Sequence, residues 1–378
     1  MQSTHREKMK KIIYFLLLIS LALLSLKGFC SSIEEMKKSE AEPKKFSWIV
    51  LPVIFYTPET HWAGGVGGLF AFRPAERNVN TRPSSIYFAV IDTQLKQFSV
   101  EIKPEIYLNK EAYLLTAYLV LKKYPCKFYG IGNDTPKSLE KNYTPRTNSL
   151  ELTLQKKIFP KERLYAGIDY QYERTKILKV DKDRLLALRD ILGSQGGTVS
   201  GLGFVLNWDS RDNIFSTTKG NYWQVLTYFN SRTLGSDFNY NSVKADLRSF
   251  VPLFSSHVLA LQGYAEIKTG HPPFYQLAKL GGEVSMRGYY LGRYRDKILM
   301  TFQAEYRIPA WWRFGLVGFA GVGDVASKFA KFKLADFKYS VGAGLRFLLD
   351  PTEGTCLRAD FGFGKGTSGF YFTAGQAF

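Results

Sequence analysis

The stretch Lys297-Ile298-Leu299-Met300-Thr301-Phe302-Gln303-Ala304-Glu305-Tyr306-Arg307-Ile308 decides the fold. In an extended chain successive side chains point to opposite faces. Ile298, Met300, Phe302, Ala304, Tyr306 and Ile308 therefore share one face, and Lys297, Thr301, Gln303, Glu305 and Arg307 share the other. The same period governs Gln97 to Tyr107, where Phe98, Val100, Ile102 and Ile106 alternate with Ser99, Glu101, Lys103 and Glu105. It returns in Leu150, Leu152 and Leu154, and again in Tyr339, Val341, Ala343, Leu345 and Phe347. Strands of soluble sandwiches average about five or six residues. These segments reach the roughly 9–11 that a tilted strand needs to cross a bilayer. A face bearing Glu, Lys and Arg must stay wet, so it lines a lumen while the apolar face meets lipid. The expected fold is all-β, a transmembrane antiparallel β-barrel.

Working outward, sixteen such segments fit between residues 47 and 378, an even number as single-chain bacterial barrels require. The connections 123–146, 175–196 and 269–296 all follow odd-numbered strands, and those after even-numbered strands hold about ten residues or fewer. Long loops at one end and short turns at the other are the asymmetry of an outer-membrane barrel.

Composition agrees. A mean hydropathy of −0.15 excludes a bundle of membrane helices. The 29 Phe, 23 Tyr and 6 Trp carry too much apolar surface for a disordered chain, and 3 Cys are too few for a disulfide scaffold. Arg6, Lys8, Lys10 and Lys11 precede the apolar run Ile12–Leu26 and the small-residue region around Gly28, Cys30, Ser31 and Ser32. That order predicts a cleaved signal peptide over 1–30. Residues 31–46 read as a short charged periplasmic tail and 47–378 as the barrel. Residues 1–30 supply +4 of the net +18, leaving +14 on the mature chain. These charges are scattered over an exported chain, which points to anionic outer-membrane lipid and lipopolysaccharide rather than nucleic acid.

The most specific signal is Gly281-Gly282-Glu283-Val284-Ser285-Met286-Arg287-Gly288-Tyr289-Tyr290, in the loop after strand eleven. It resembles the bacterial surface antigen family, the barrel shared by the BamA and TamA assembly factors, whose hallmark is an Arg-Gly-aromatic tripeptide in that loop. Asn207-Trp208-Asp209-Ser210-Arg211-Asp212-Asn213 is similar to the family's Asp-x-Arg-Asp-Asn turn, and Phe128 to Thr135 resembles a loop of its shorter members. The resemblance implies that Arg287, with Gly288 and Tyr289, folds back into the lumen and anchors to Glu305 and the ring of Phe319. The family often places an acid on strand thirteen where this chain has Gly321, which would leave Glu305 as the main counter-charge. The outward series Phe370, Phe372, Ala374 and Phe378, interrupted by Gln376, would present the last strand to the barrel assembly machinery. Family assembly factors carry POTRA domains before the barrel; only 31–46 is available here, so client capture of that kind is not expected.

Asp209, Arg211, Asp212 and Asn213 read as a structural periplasmic turn, since Asp, Ser and Asn are turn formers. Gly65-Val66-Gly67, Gly342-Ala343-Gly344 and Gly362-Phe363-Gly364 sit inside alternating strands with no helix following, so they mark bends or tight packing rather than nucleotide loops. No Gly-x-Ser-x-Gly elbow is present and no His stands at triad or metal spacing, so neither an enzyme nor a cofactor is expected. Two functions stay open: a barrel that assembles or translocates nascent outer-membrane proteins, or a passive pore or structural barrel that keeps the fold alone.

Overall fold

Alternation of this length commits the chain to strands. A computed structural model describes residues 46–57, 61–73, 81–159, 161–180, 191–254, 256–351 and 353–378. The expected signal peptide and residues 31–45 of the expected tail lie outside them. Sixteen wall strands follow in chain order: β1 (Phe46–Thr57), β2 (His61–Phe72), β3 (Ser84–Thr93), β4 (Phe98–Leu108), β5 (Tyr113–Lys123), β6 (Lys141–Phe159), β7 (Leu164–Val180) and β8 (Gly196–Asp209). They continue as β9 (Gly220–Asn230), β10 (Tyr240–Leu253), β11 (His257–Gly270), β12 (Ile298–Pro309), β13 (Phe314–Ala326), β14 (Lys338–Asp350), β15 (Thr355–Gly364) and β16 (Thr367–Ala374). A short strand, Cys126–Phe128, extends the sheet against β6, and a small hairpin of Ala278–Leu280 with Tyr294–Asp296 lies in the loop after β11.

Each wall strand pairs antiparallel with the next. Among the described residues no ladder joins β1 to β16. Side chains reach over this seam at the short-turn end. Ser47 Oγ donates to Asp350 at 2.7 Å, and Arg73 meets Glu353 at 2.6 Å.

The two faces separate as the periodicity demands. On β8, Leu202, Phe204 and Leu206 are exposed outward, while Val205, Asn207 and Asp209 are buried inward. On β16, Phe370 and Phe372 face out. Buried inward polar groups such as Gln155, Asp169, Gln262, Gln303 and Glu305 fill the interior. An outward apolar belt around a polar interior is the arrangement lipid requires.

Three boundaries differ from the sequence reading. β6 begins at Lys141 and β7 runs to Val180, so the last six residues of one expected loop and the first six of the next pair as strands standing beyond the bilayer; nineteen residues of β6 span about 60 Å. β16 stops at Ala374. Gly375 takes φ +92°, a conformation that suits glycine, and the chain turns inward. Phe378 therefore leaves the outward series and packs with Phe250, Val258 and Ala260 inside the short-turn end.

A barrel wall of sixteen hydrogen-bonded strands resists detergent until heated. Unboiled protein should migrate faster than boiled protein on a detergent gel; identical migration, with the protein in the soluble fraction, would contradict the barrel.

Candidate functional site

The loop 271–297 enters the lumen, and the sequence of its tip explains how it seats there. Gly288 adopts φ +98°, closed to most side chains, and its backbone lies on β15: a Cβ there would stand 2.8 Å from the Phe363 carbonyl carbon. Gly362 reciprocates, since its own Cβ would meet the Gly288 nitrogen at 2.8 Å. The Gly288 N–H donates to Tyr371 Oη of β16 at 2.9 Å. Tyr289 is buried, donates to the Tyr339 carbonyl at 3.1 Å and accepts from the Lys365 N–H at 2.9 Å. The Tyr289 ring fills the space that a Cβ on Gly364 would occupy. The Gly-x-Gly run of β15 is thus a backbone cradle for the tripeptide.

Arg287 is fully buried. Its guanidinium carbon lies 3.6 Å from the centre of the Phe319 ring on β13. Nη2 pairs with Glu305 Oε2 of β12 at 2.7 Å, and Nη1 donates to Asp360 Oδ2 of β15 at 2.5 Å. A planar guanidinium can stack on a ring and serve two carboxylates at once, which an ammonium cannot. Glycines again make the room. A Cβ on Gly342 would collide with the Phe319 ring, and one on Gly344 with Asp360 Oδ1.

Asp360 corrects the expectation that Glu305 stands as the main counter-charge. Gly321 does leave that position of β13 without an acid, and Asp324 further along the strand pairs with Lys338, but an acid for Arg287 is supplied two strands on. Its signal was present in the alternation of β15, which turns Arg358 and Asp360 inward and Phe361 and Phe363 outward.

The pair belongs to a larger net. Arg307 Nε donates to Glu305 Oε1 at 2.8 Å, Arg346 Nη1 donates to Asp360 at 2.5 Å, and Arg358 meets Glu283 of the loop at 2.8 Å. Arg307 Nη2 also donates to the Phe378 main-chain oxygen at 2.9 Å, and Arg346 Nε to the Gln376 amide oxygen at 2.9 Å. The charges that hold the loop therefore hold the inward-turned residues after β16 as well.

The Asp209 segment is a second feature. Asp212 Oδ1 accepts N–H groups of Asn213 and Thr218, and Asn213 Oδ1 accepts those of Phe215 and Ser216, so both close the turn internally. Asp209 receives Arg211 and, from the β2–β3 connection, Arg82 at 2.7 Å. Burial alone would lower the Arg211 pKa, but Asp209 outweighs it and raises it. Asn213 Nδ2 reaches the Glu353 carbonyl at 3.0 Å, and Arg307 reaches the Thr217 carbonyl at 3.4 Å. The turn between β8 and β9 thus straps the short-turn mouth to the hairpin beside the seam. At the other end, the Phe128–Thr135 segment packs on the loop. Phe128 meets Phe274 edge-on at 5.3 Å, and Arg293 donates to Thr135 Oγ1 at 3.0 Å. Between the two ends lie cavities of 570 and 640 Å³, both lined by Glu283 and Val284 of the loop.

Residues 102–378 match the Omp85 superfamily domain, and the chain belongs to that superfamily. Two solved structures share the fold. BamA from Haemophilus ducreyi lacking POTRA domains 1–3 is 16% identical, with a TM-score of 0.55 over 87% of this chain and 69% of that one. CdiB from Acinetobacter baumannii is 14% identical, with a TM-score of 0.54 over 85% of this chain. The chain spans 56% of the length of CdiB. No curated relative matches the sequence. The protein is a bacterial outer-membrane β-barrel.

Removing one partner from a sheltered ion pair costs about 3–5 kcal/mol, less where water reaches. Arg287→Ala takes one cation from each of two carboxylates, which keep Arg307 and Arg346, whereas Glu305→Gln and Asp360→Asn each leave Arg287 one acid but also take a partner from Arg307 or Arg346. Each single variant should lose folded barrel in urea, and each acid variant, which takes a carboxylate from more than one buried guanidinium, should lose at least as much as Arg287→Ala. Full additivity of all three substitutions, read from heat-modifiable band intensity, would show that they do not share one site.

Proposed function

We propose that this barrel assembles or translocates other outer-membrane proteins at its seam. The observation that carries the reading is the absence, among the described residues, of a ladder between β1 and β16 in an otherwise continuous wall. Unpaired strand edges are costly in hydrocarbon and act as templates for an added strand. An incoming amphipathic strand would satisfy those groups by edge addition. Among the described residues, the side-chain bridges Ser47–Asp350 and Arg73–Glu353 brace the seam at the periplasmic end, and a client would enter along the rest of it.

The lumen supports the same reading. The loop 271–297 occupies it from the long-loop end and the Asp209–Lys219 segment straps the other mouth, so a wide steady channel has no clear path. Phe370 and Phe372 remain the outward apolar residues through which the last strand would itself be recognised by the assembly machinery; Phe378, turned inward, would not take part in this conformation.

Deletion of the gene should lower the amounts of several folded outer-membrane barrels, and the purified protein in planar bilayers should give brief, irregular openings. Unchanged barrel amounts together with large steady conductance would mean a passive pore.

A further inference from the structure

The connection between β13 and β14, residues 327–337, reads Ser-Lys-Phe-Ala-Lys-Phe-Lys-Leu-Ala-Asp-Phe. It forms two successive 3₁₀ turns at the long-loop end, Phe329–Lys331 and Leu334–Asp336. The turns are closed by main-chain bonds from Lys331 N–H to the Lys328 carbonyl and from Asp336 N–H to the Lys333 carbonyl, and Phe332 packs on Phe337 at 5.9 Å. The backbone of the segment is held by its own contacts.

It displays lysines and large apolar groups side by side. Lys328, Lys331 and Lys333 are exposed, and none forms an ion pair with a carboxylate among the described residues. Other lysines of this chain do find one: Lys127 with Glu140, Lys157 with Glu111, Lys268 with Glu266, and Lys338 with Asp324. Asp296 lies within electrostatic reach of Lys331 but is buried. Residues three apart in a 3₁₀ turn eclipse one another, so Lys328 and Lys331 share a side, about 6 Å apart along the axis. Leu334 is 90% exposed, the highest value of any large apolar side chain among the described residues, and Phe329 is 57% exposed.

Three exposed lysines against one exposed acid of the loop, Asp336, which forms no ion pair with them, set beside apolar side chains that water does not favour, describe a headgroup-level lipid contact. Tyr339 and Val341, the first outward residues of β14, continue the apolar surface down the wall. The long-loop end faces the outer leaflet, whose lipid carries phosphates on a glucosamine headgroup. We propose that the 327–337 loop is a lipopolysaccharide-binding surface, with Lys328, Lys331 and Lys333 on the lipid A phosphates and Phe329 and Leu334 at the acyl boundary. The surface is separate from the seam and from the Arg287 lock, so it stands whether or not the barrel handles clients.

The test titrates detergent-solubilised full-length protein with bisphosphorylated lipid A, and with lipid A stripped of both phosphates, counting bound lipid by native mass spectrometry. The triple variant Lys328→Ala/Lys331→Ala/Lys333→Ala should bind bisphosphorylated lipid A about tenfold more weakly or worse, and the stripped lipid as wild type does. Phe329→Ser/Leu334→Ser, with all lysines retained, should weaken both lipids. Heat-modifiable migration confirms that each variant is folded. Inorganic phosphate in large excess should not displace the lipid. The proposal is overturned if wild type binds both lipids equally, if the triple variant binds bisphosphorylated lipid A as wild type does, or if inorganic phosphate displaces it, which would mark a site for free anions.

Discussion

A guanidinium cannot be buried without carboxylates to face it, and Arg287 is buried completely. Leaving it unpaired would cost more than most single contacts in the wall contribute. Glu305 and Asp360 meet that requirement, and the Phe319 ring closes the remaining side. Because the three partners come from β15, β12 and β13, a single side chain of the loop fixes the relative positions of three wall strands. The hydrogen bond from Gly288 to Tyr371 adds β16.

The same carboxylates bind Arg307 and Arg346, and these arginines hold Phe378 and Gln376. Loop, wall and last residues therefore share counter-charges. Displacing the loop would leave Glu305 and Asp360 with fewer cations and alter how tightly the residues after β16 are held. This supports a coupling between the loop and the seam-forming end of the chain, carried by a contiguous charge network. The glycines at 342, 344, 362 and 364 are the steric counterpart. Each leaves a space that one member of the lock fills.

Much of this was legible in the sequence, and the rest was not for physical reasons. Period-two alternation is strong where one face meets lipid, so the sixteen strands and the side on which the long loops lie could be read directly. Arg287, Glu305 and Phe319 came from a motif and from inward positions on neighbouring strands. Asp360 did not, because alternation states which face a residue occupies but not how near it comes to a loop tip that crosses the lumen. Several inward acids were equally eligible until the fold was in hand. Phe378 was misplaced because alternation holds only while the chain stays extended. Gln376 in the outward series was the warning, and the positive φ of Gly375 is the cause. The strap made by Asp209–Lys219 was read as a turn, which it is, but its contact with Glu353 joins residues far apart in sequence.

The central claim is that the Arg-Gly-Tyr tip is a fixed part of the barrel interior. Amide hydrogen exchange over residues 281–296, in the folded barrel, tests this most directly. Slow exchange at Gly288, comparable to the amides of β15 beside it, is the predicted result. Exchange as fast as an unstructured external loop would contradict it.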